Sequence, residues 1–231
     1  MELTFDERRV AGVLVEKGYT TPEQYPLTMN AMVVGSSQKS CRHPVVQLDE
    51  ERVFLAIDGL RKKRLCALVQ LSTSRVDRWK HCFSDVHGLQ DAEIAVLAEL
   101  LLRGPQTDGE LRQHASRMVQ IESLEKLAEV LEKLMGHNPP LAVRLTPGGR
   151  KRGVRYAHCL YPADELEELR QREASAAAAL PPEGAGEPGA ASPAAGAGPV
   201  STLRQEVEAL SARVESLDAR LKKLEDALGA G

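Results

Sequence analysis

Aromatic side chains are scarce in this sequence: one Trp, four Tyr and three Phe among 231 residues. A core with so few rings has to be filled by Leu, Val, Ile and Ala. Cysteine is equally thin. Four Cys with no CxxC spacing exclude a disulfide scaffold and a zinc ribbon. No stretch approaches the 18 consecutive apolar residues of a membrane span. The first residues, MELTFDERRV, carry acids early and lack an apolar signal-peptide region, so a cytoplasmic protein is expected. Neither sign of charge dominates: 30 basic and 33 acidic residues leave a net charge of −3. That excludes a protein drawn to nucleic acid by bulk charge alone. Catalytic signatures are missing as well: there is no GxSxG, Walker loop, HExxH or dinucleotide fingerprint. The expectation is a non-enzyme without cofactor or metal. The pairs His81-Cys82 and His158-Cys159 do not change this, because neighbours on a strand point to opposite faces.

What is present is organised in blocks. Every aromatic, Cys and His lies at or before Tyr161, and residues 162–231 carry a net charge of −6. Between Pro181 and Pro199 the sequence PPEGAGEPGAASPAAGAGP offers no large apolar side chain. It cannot offset its ordering entropy by burial and reads as a disordered linker. Beyond it Leu203, Val207, Leu210, Val214, Leu217, Leu221, Leu224 and Leu228 alternate at spacings of 4 and 3, an unbroken heptad seam. Val207 and Val214 at one seam position with Leu at the other favour a parallel two-stranded coil. In such a coil Arg213 faces Asp218 and Arg220 faces Glu225 of the partner copy. A homodimer is therefore expected, with docking of the helix on its own globular part as the alternative.

Residues 1–161 contain one unit written twice. At an offset of 86, Glu7 meets Glu93, Val10 meets Val96, Leu14 meets Leu100, Gly18 meets Gly104 and Thr21 meets Thr107. Each copy opens with a helix, predicted at Phe5–Lys17 and Ala92–Arg103. Each of these is stopped by a glycine, and a threonine then stands ready to cap the next helix. A third helix matches at an offset of 74, where Asp49, Val53, Ile57 and Leu60 correspond to Ser123, Leu127, Leu131 and Leu134. Two strands close each copy: Leu65–Leu71 with Trp79–Phe83, and Leu141–Leu145 with Val154–Leu160. Three helices followed by a hairpin is the plan of a winged helix. The predicted fold class is mainly α with small β-hairpins (α+β). Winged-helix domains are expected at 1–88 and 89–161, an acidic helix start and linker at 162–200, and a coiled coil at 201–229.

TTPEQYPLTMN (20–30), then Gln38, Lys39, Arg42, Pro44 and Val45, then LLLRGPQTDGELR (100–112) and RKRGVRY (150–156) resemble the YceH-like family of bacterial proteins of unknown function. The resemblance covers residues 1–161. It implies two winged-helix domains in a bacterial cytoplasmic protein, with no established activity or cofactor. Ser37 departs from the Asn common in that family, and the linker is longer than the family leads one to expect.

Two segments are candidates for contact with a partner. Between residues 144 and 155 stand Arg144, Arg150, Lys151, Arg152 and Arg155 with no acid among them, on a glycine-rich hairpin that suits phosphate contact with DNA or RNA. The polar stretch around Gln38, Lys39 and Arg42 is either a contact loop or a plain connection. The third helices argue against sequence readout. One opens with Asp49, Glu50 and Glu51, the other carries Glu122, Glu125, Glu129 and Glu132, and phosphates repel carboxylates. The leading expectation is a nucleic-acid-associated or regulatory factor of weak sequence specificity. The alternative, by fold-level analogy, is a protein-interaction scaffold.

Overall fold

A computed structural model of the chain describes residues 1–70, 76–146 and 153–178. All of them belong to one compact unit, Met1–Glu183. The heptad segment, most of the linker, and Arg150, Lys151 and Arg152 lie outside the described residues. The fold is mainly helical with small antiparallel strand pairs, as predicted.

Helix α1 (Phe5–Thr20) starts from a reciprocal cap. The Glu7 amide donates to the Thr4 hydroxyl, and the Thr4 amide donates to the Glu7 carboxylate. Every residue from Glu7 to Glu16 is buried, so α1 runs through the middle of the unit and has no solvent face there. Helix α2 (Met29–Ser36) and helix α3 (Glu50–Lys62) pack on it. Strands β1 (Cys66–Val69) and β2 (Arg78–His81) form an antiparallel hairpin with Cys66 opposite His81, and Leu27 bridges to Trp79 on its other edge. A short helix α4 (Phe83–His87) leads into the second copy.

That copy repeats the order. Helix α5 (Asp91–Arg103) is buried from Glu93 to Leu102 and packs directly on α1. Strand β3 (Gln106–Thr107) precedes helix α6 (Asp108–Ala115) and helix α7 (Leu124–Gly136). Strands β4 (Ala142–Arg144) and β5 (Arg155–His158) close it, in the sheet order β3-β5-β4. Helix α8 (Ala163–Ala178) follows, with Leu166 and Leu169 against Leu145, Ala157 and Tyr161. The two copies share one continuous core. Val10, Val13 and Leu14 of α1 and Leu97, Leu100 and Leu102 of α5 are essentially inaccessible. Burial of each such side chain is worth about 1.5–3 kcal/mol before entropy is counted.

Three local expectations change. Gly18 does not end α1, which continues to Thr20. Thr21 caps no helix: its hydroxyl turns back to the Lys17 carbonyl at 3.3 Å, and Pro22–Gln24 form a single 3₁₀ turn. The cap of the second helix is Thr28 instead, which accepts from the Ala31 amide. Strand β2 stops at His81 because Cys82 leaves the extended region (φ −130°, ψ 26°) and Phe83 starts α4. The second copy follows the sequence closely. Thr107 caps α6 with Glu110 in a reciprocal pair, and Gly104 ends α5 at φ 75°.

Candidate functional site

The polar segment after α2 folds across the seam between the two copies, held there by two arginines. Arg9 of α1 is buried and donates to the carbonyls of Ser36 (3.3 Å) and Pro44 (2.7 Å), one at each end of the segment. Burial, and then the nearby Arg42 charge, lower its pKa to about 10 in spite of Asp6. Arg42 is the second staple. Its side chain is inaccessible, and it donates to the Gly35 and Cys41 carbonyls, to both oxygens of Glu16 and to the Gln38 side chain. The sequence offered Arg42 as a surface contact; the structure puts it inside, because buried Glu16 of α1 needs a counter-charge. Gln38 is half-buried and turned inward to Arg42. Of the three residues singled out in this segment, Lys39 remains exposed.

The second copy grips the same segment. The His43 amide donates to the Leu102 carbonyl at the end of α5. Arg117 reaches Glu16 at 3.2 Å, Glu99 at 2.6 Å and the Cys41 sulfur at 3.0 Å. Glu99, also inaccessible, lies 3.2 Å from Arg103. Burial raises the Glu16 carboxyl, but hydrogen bonds and charge from Arg42, with Lys17 and Arg117, outweigh it and hold it below the ordinary value. An ionic layer therefore joins α1, the polar segment, α5 and the loop after α6. Arg9 and Glu16 stand three or four residues from Val13, so helical spacing puts both charges on the buried face of α1. That spacing is the signal by which the sequence could have revealed them. Arg117 had no such signal.

The second hairpin carries the other candidates. Arg144 is exposed at the end of β4. Arg155 on β5 donates to Glu173 of α8 (2.9 Å) and to the Pro105 carbonyl (2.6 Å), so it ties the hairpin to its neighbours. The tip with Arg150, Lys151 and Arg152 lies outside the described residues.

The outward faces of the third helices differ in character. On α3, Phe54 is 57% exposed and Leu55 61%, beside exposed Glu50 and Glu51. On α7 the exposed residues include Leu124, Glu125, Ala128, Glu129 and Glu132, while Lys126 pairs with Glu129 and Lys133 with Glu93. Among the described residues no group of His, Cys, Asp or Glu is arranged to hold a metal ion, and no helix is long and apolar enough to cross a membrane.

A family described as "Protein of unknown function, DUF480" matches residues 3–153. The chain belongs to this family. The chain is 46% identical over 160 residues to a UPF0502 protein of Pelobacter propionicus, covering 69% of this chain and 73% of that protein. It is 43% identical over 179 residues to a UPF0502 protein of Geobacter sulfurreducens, covering 78% of each. A UPF0502 protein of Azoarcus sp. is 43% identical over 172 residues, covering 74% of this chain and 76% of that protein. The span matched by DUF480 contains the whole ionic layer, from Arg9 and Glu16 through Arg42 to Glu99 and Arg117. Helix α8 lies beyond it.

Proposed function

We propose that this DUF480 chain is a tandem winged-helix protein that works in the cytoplasm by binding rather than catalysis, and that its main partner is another protein. The winged-helix reading is supported by strand order. In each copy a short extended stretch before the second helix pairs with the closing strand: Leu27 with Trp79 in the first, β3 with β5 in the second. In DNA-reading members of such folds the third helix enters the major groove. Here the observation that carries the reading is the surface of α3, where Phe54 and Leu55 stand in solvent among carboxylates. Exposed adjacent apolar side chains suit a protein surface, and the acids oppose a phosphate-lined groove. The heptad seam beyond residue 200 supports a homodimer.

A second reading rests on the other hairpin, where five cations between residues 144 and 155 stand without an acid. It makes the protein a weakly specific binder of DNA or RNA phosphates. Two measurements separate the readings. Phe54→Glu with Leu55→Glu alters only exposed positions and is expected to remove the dominant protein adduct in crosslinked cells, with little change in stability. Duplex binding followed over a salt series is expected to be absent even at low salt. Micromolar binding with steep salt dependence, retained in the double variant, would put the nucleic-acid reading in front.

A further inference from the structure

A cavity of about 310 Å³ opens between the start of α1, the end of the polar segment, the α5–β3 connection and α8. That volume is at the lower end of the range for small-molecule sites. Part of its wall is hydrocarbon, from Phe5, Pro44, Leu101, Pro105 and Leu169. The rest is polar and unbalanced in one direction.

The carboxylate of the wall and two of its carbonyls are already used. Both oxygens of Glu165 take the Arg8 guanidinium, at 2.7 and 2.9 Å. The Pro44 carbonyl accepts from Arg9 and the Pro105 carbonyl from Arg155. The donors are not used. His158 is 1% exposed, and its Nδ1 accepts from the Leu160 amide at 3.1 Å. A backbone amide can only donate, so in the neutral ring the proton sits on Nε2. That Nε2–H has no protein partner among the described residues. Burial first, and then the Arg8 charge, keep the ring neutral by holding its pKa well below the ordinary value. Tyr161 stacks on His158 with ring centroids 3.8 Å apart, the Arg8 guanidinium lies over the Tyr161 ring at 4.4 Å from its centroid, and the Tyr161 hydroxyl also has no partner among the described residues. Gly104 keeps this hydroxyl uncovered. Its φ of 75° suits glycine, and a Cβ there would stand 3.5 Å from the Tyr161 oxygen.

Charge points the same way. Arg8 is neutralised by Glu165, whereas Arg103 shares Glu99 with Arg117. Arg172, exposed on α8, has no partner among the described residues, so the cations of the wall outnumber its one carboxylate, Glu165. A site with unpaired donors, an excess of positive charge and a hydrocarbon wall fits a small acceptor-only anion with an apolar body.

We propose that this cavity binds a small organic monocarboxylate, with its carboxylate toward His158, Tyr161 and Arg172 and its hydrocarbon against Phe5, Leu101 and Leu169. The site is independent of the partner assigned to α3. Its walls come from both copies and from α8, so an occupant braces the seam between them.

The probe is benzoate, titrated into the full chain and followed by the Gly104 amide and the His158 side-chain nitrogens in NMR spectra. Benzyl alcohol keeps the ring without the charge, and inorganic phosphate keeps an anion without the ring. Saturable benzoate shifts at Gly104 and His158 are expected, with affinity about tenfold or more above both controls, as charge-assisted hydrogen bonds require. Tyr161→Phe removes one donor and leaves the stack, and Arg172→Gln changes an exposed side chain. Each is expected to weaken benzoate by about threefold. The proposal is overturned by absence of saturable shifts at these two residues up to roughly 10 mM benzoate. It is overturned equally if benzyl alcohol or phosphate binds as well as benzoate, or if neither variant changes the affinity.

Discussion

Arg42 uses all five of its guanidinium donors, and each goes to an acceptor within the polar segment, α2 or α1. Arg42→Ala would leave Glu16 buried with Arg117 alone, at 3.2 Å. Removing one partner of a buried pair costs about 3–5 kcal/mol, and the surviving Arg117 contact puts this case at about 3. Denaturant unfolding of the variant checks it. Two groups of the seam region also set the response to acid. His158 stays neutral in the folded protein, whereas an unfolded imidazole takes up a proton below about pH 6.5. The unfolded state then binds more protons, so stability falls as pH drops below about 6.5, by at most about 1.4 kcal/mol per pH unit from this ring. Burial likewise lowers the values of His81, His87 and His114, which add in the same direction. Glu16 acts later. Its folded carboxyl is held low, so its contribution is complete above the unfolded carboxylate range and is lost below about pH 4. Unfolding free energies measured from about pH 7 down to about pH 2 should therefore decline in this order, and His158→Phe should flatten the first part.

At the scale of elements, the crossing of α1 and α5 sets how closely the two copies approach. A Cβ on Gly12 would lie 2.7 Å from Cγ and 2.8 Å from Cδ2 of Leu102, and 3.3 Å from the Ala98 carbonyl. Leu102 is inaccessible, and side chains in a close-packed interior move only at a cost. Two effects compete in Gly12→Ala. Helix propensity gains about 1 kcal/mol, while overpacking costs about 1–3 kcal/mol. The clash involves the branch point of a packed leucine and a backbone oxygen, so the cost wins. The expected outcome is net destabilisation by about 1 kcal/mol in thermal or denaturant melts, and a smaller cost or a gain when the same change is made in a Leu102→Ala background, where the space is open.

At the scale of the whole molecule, the C-terminal heptads are expected to carry association. Deleting residues 201–231 is expected to halve the mass measured by light scattering. The unbroken Val and Leu seam with matched flanking charges motivates this. An unchanged dimer after deletion would place the interface within residues 1–200.

Much of the architecture was legible from local chemistry. Thr107 with Glu110, Asp49 and Ser123 mark helix starts because a cap is a contact between residues three apart. The buried stripe of α7 follows from spacing, and the hairpins from the repeated closing strands, whereas the burial of α5 on every side does not follow from its spacing. The misreadings also have local causes. Thr21 with Pro22 carries the same signal as Thr28, and only the path of the chain past Trp79 selects the second. What tertiary structure alone decided is the fate of polar residues. Gln38, Lys39 and Arg42 are similar in sequence, yet Lys39 faces solvent and Arg42 is sealed against Glu16, 26 residues earlier in the chain. In the sequence His158 is only a residue of a closing strand, and its place as an unpaired donor depends on Leu160, Tyr161 and Gly104 meeting around one cavity. A sequence states which groups can donate or accept. Which of them are left without a partner is settled only when distant segments close on one another.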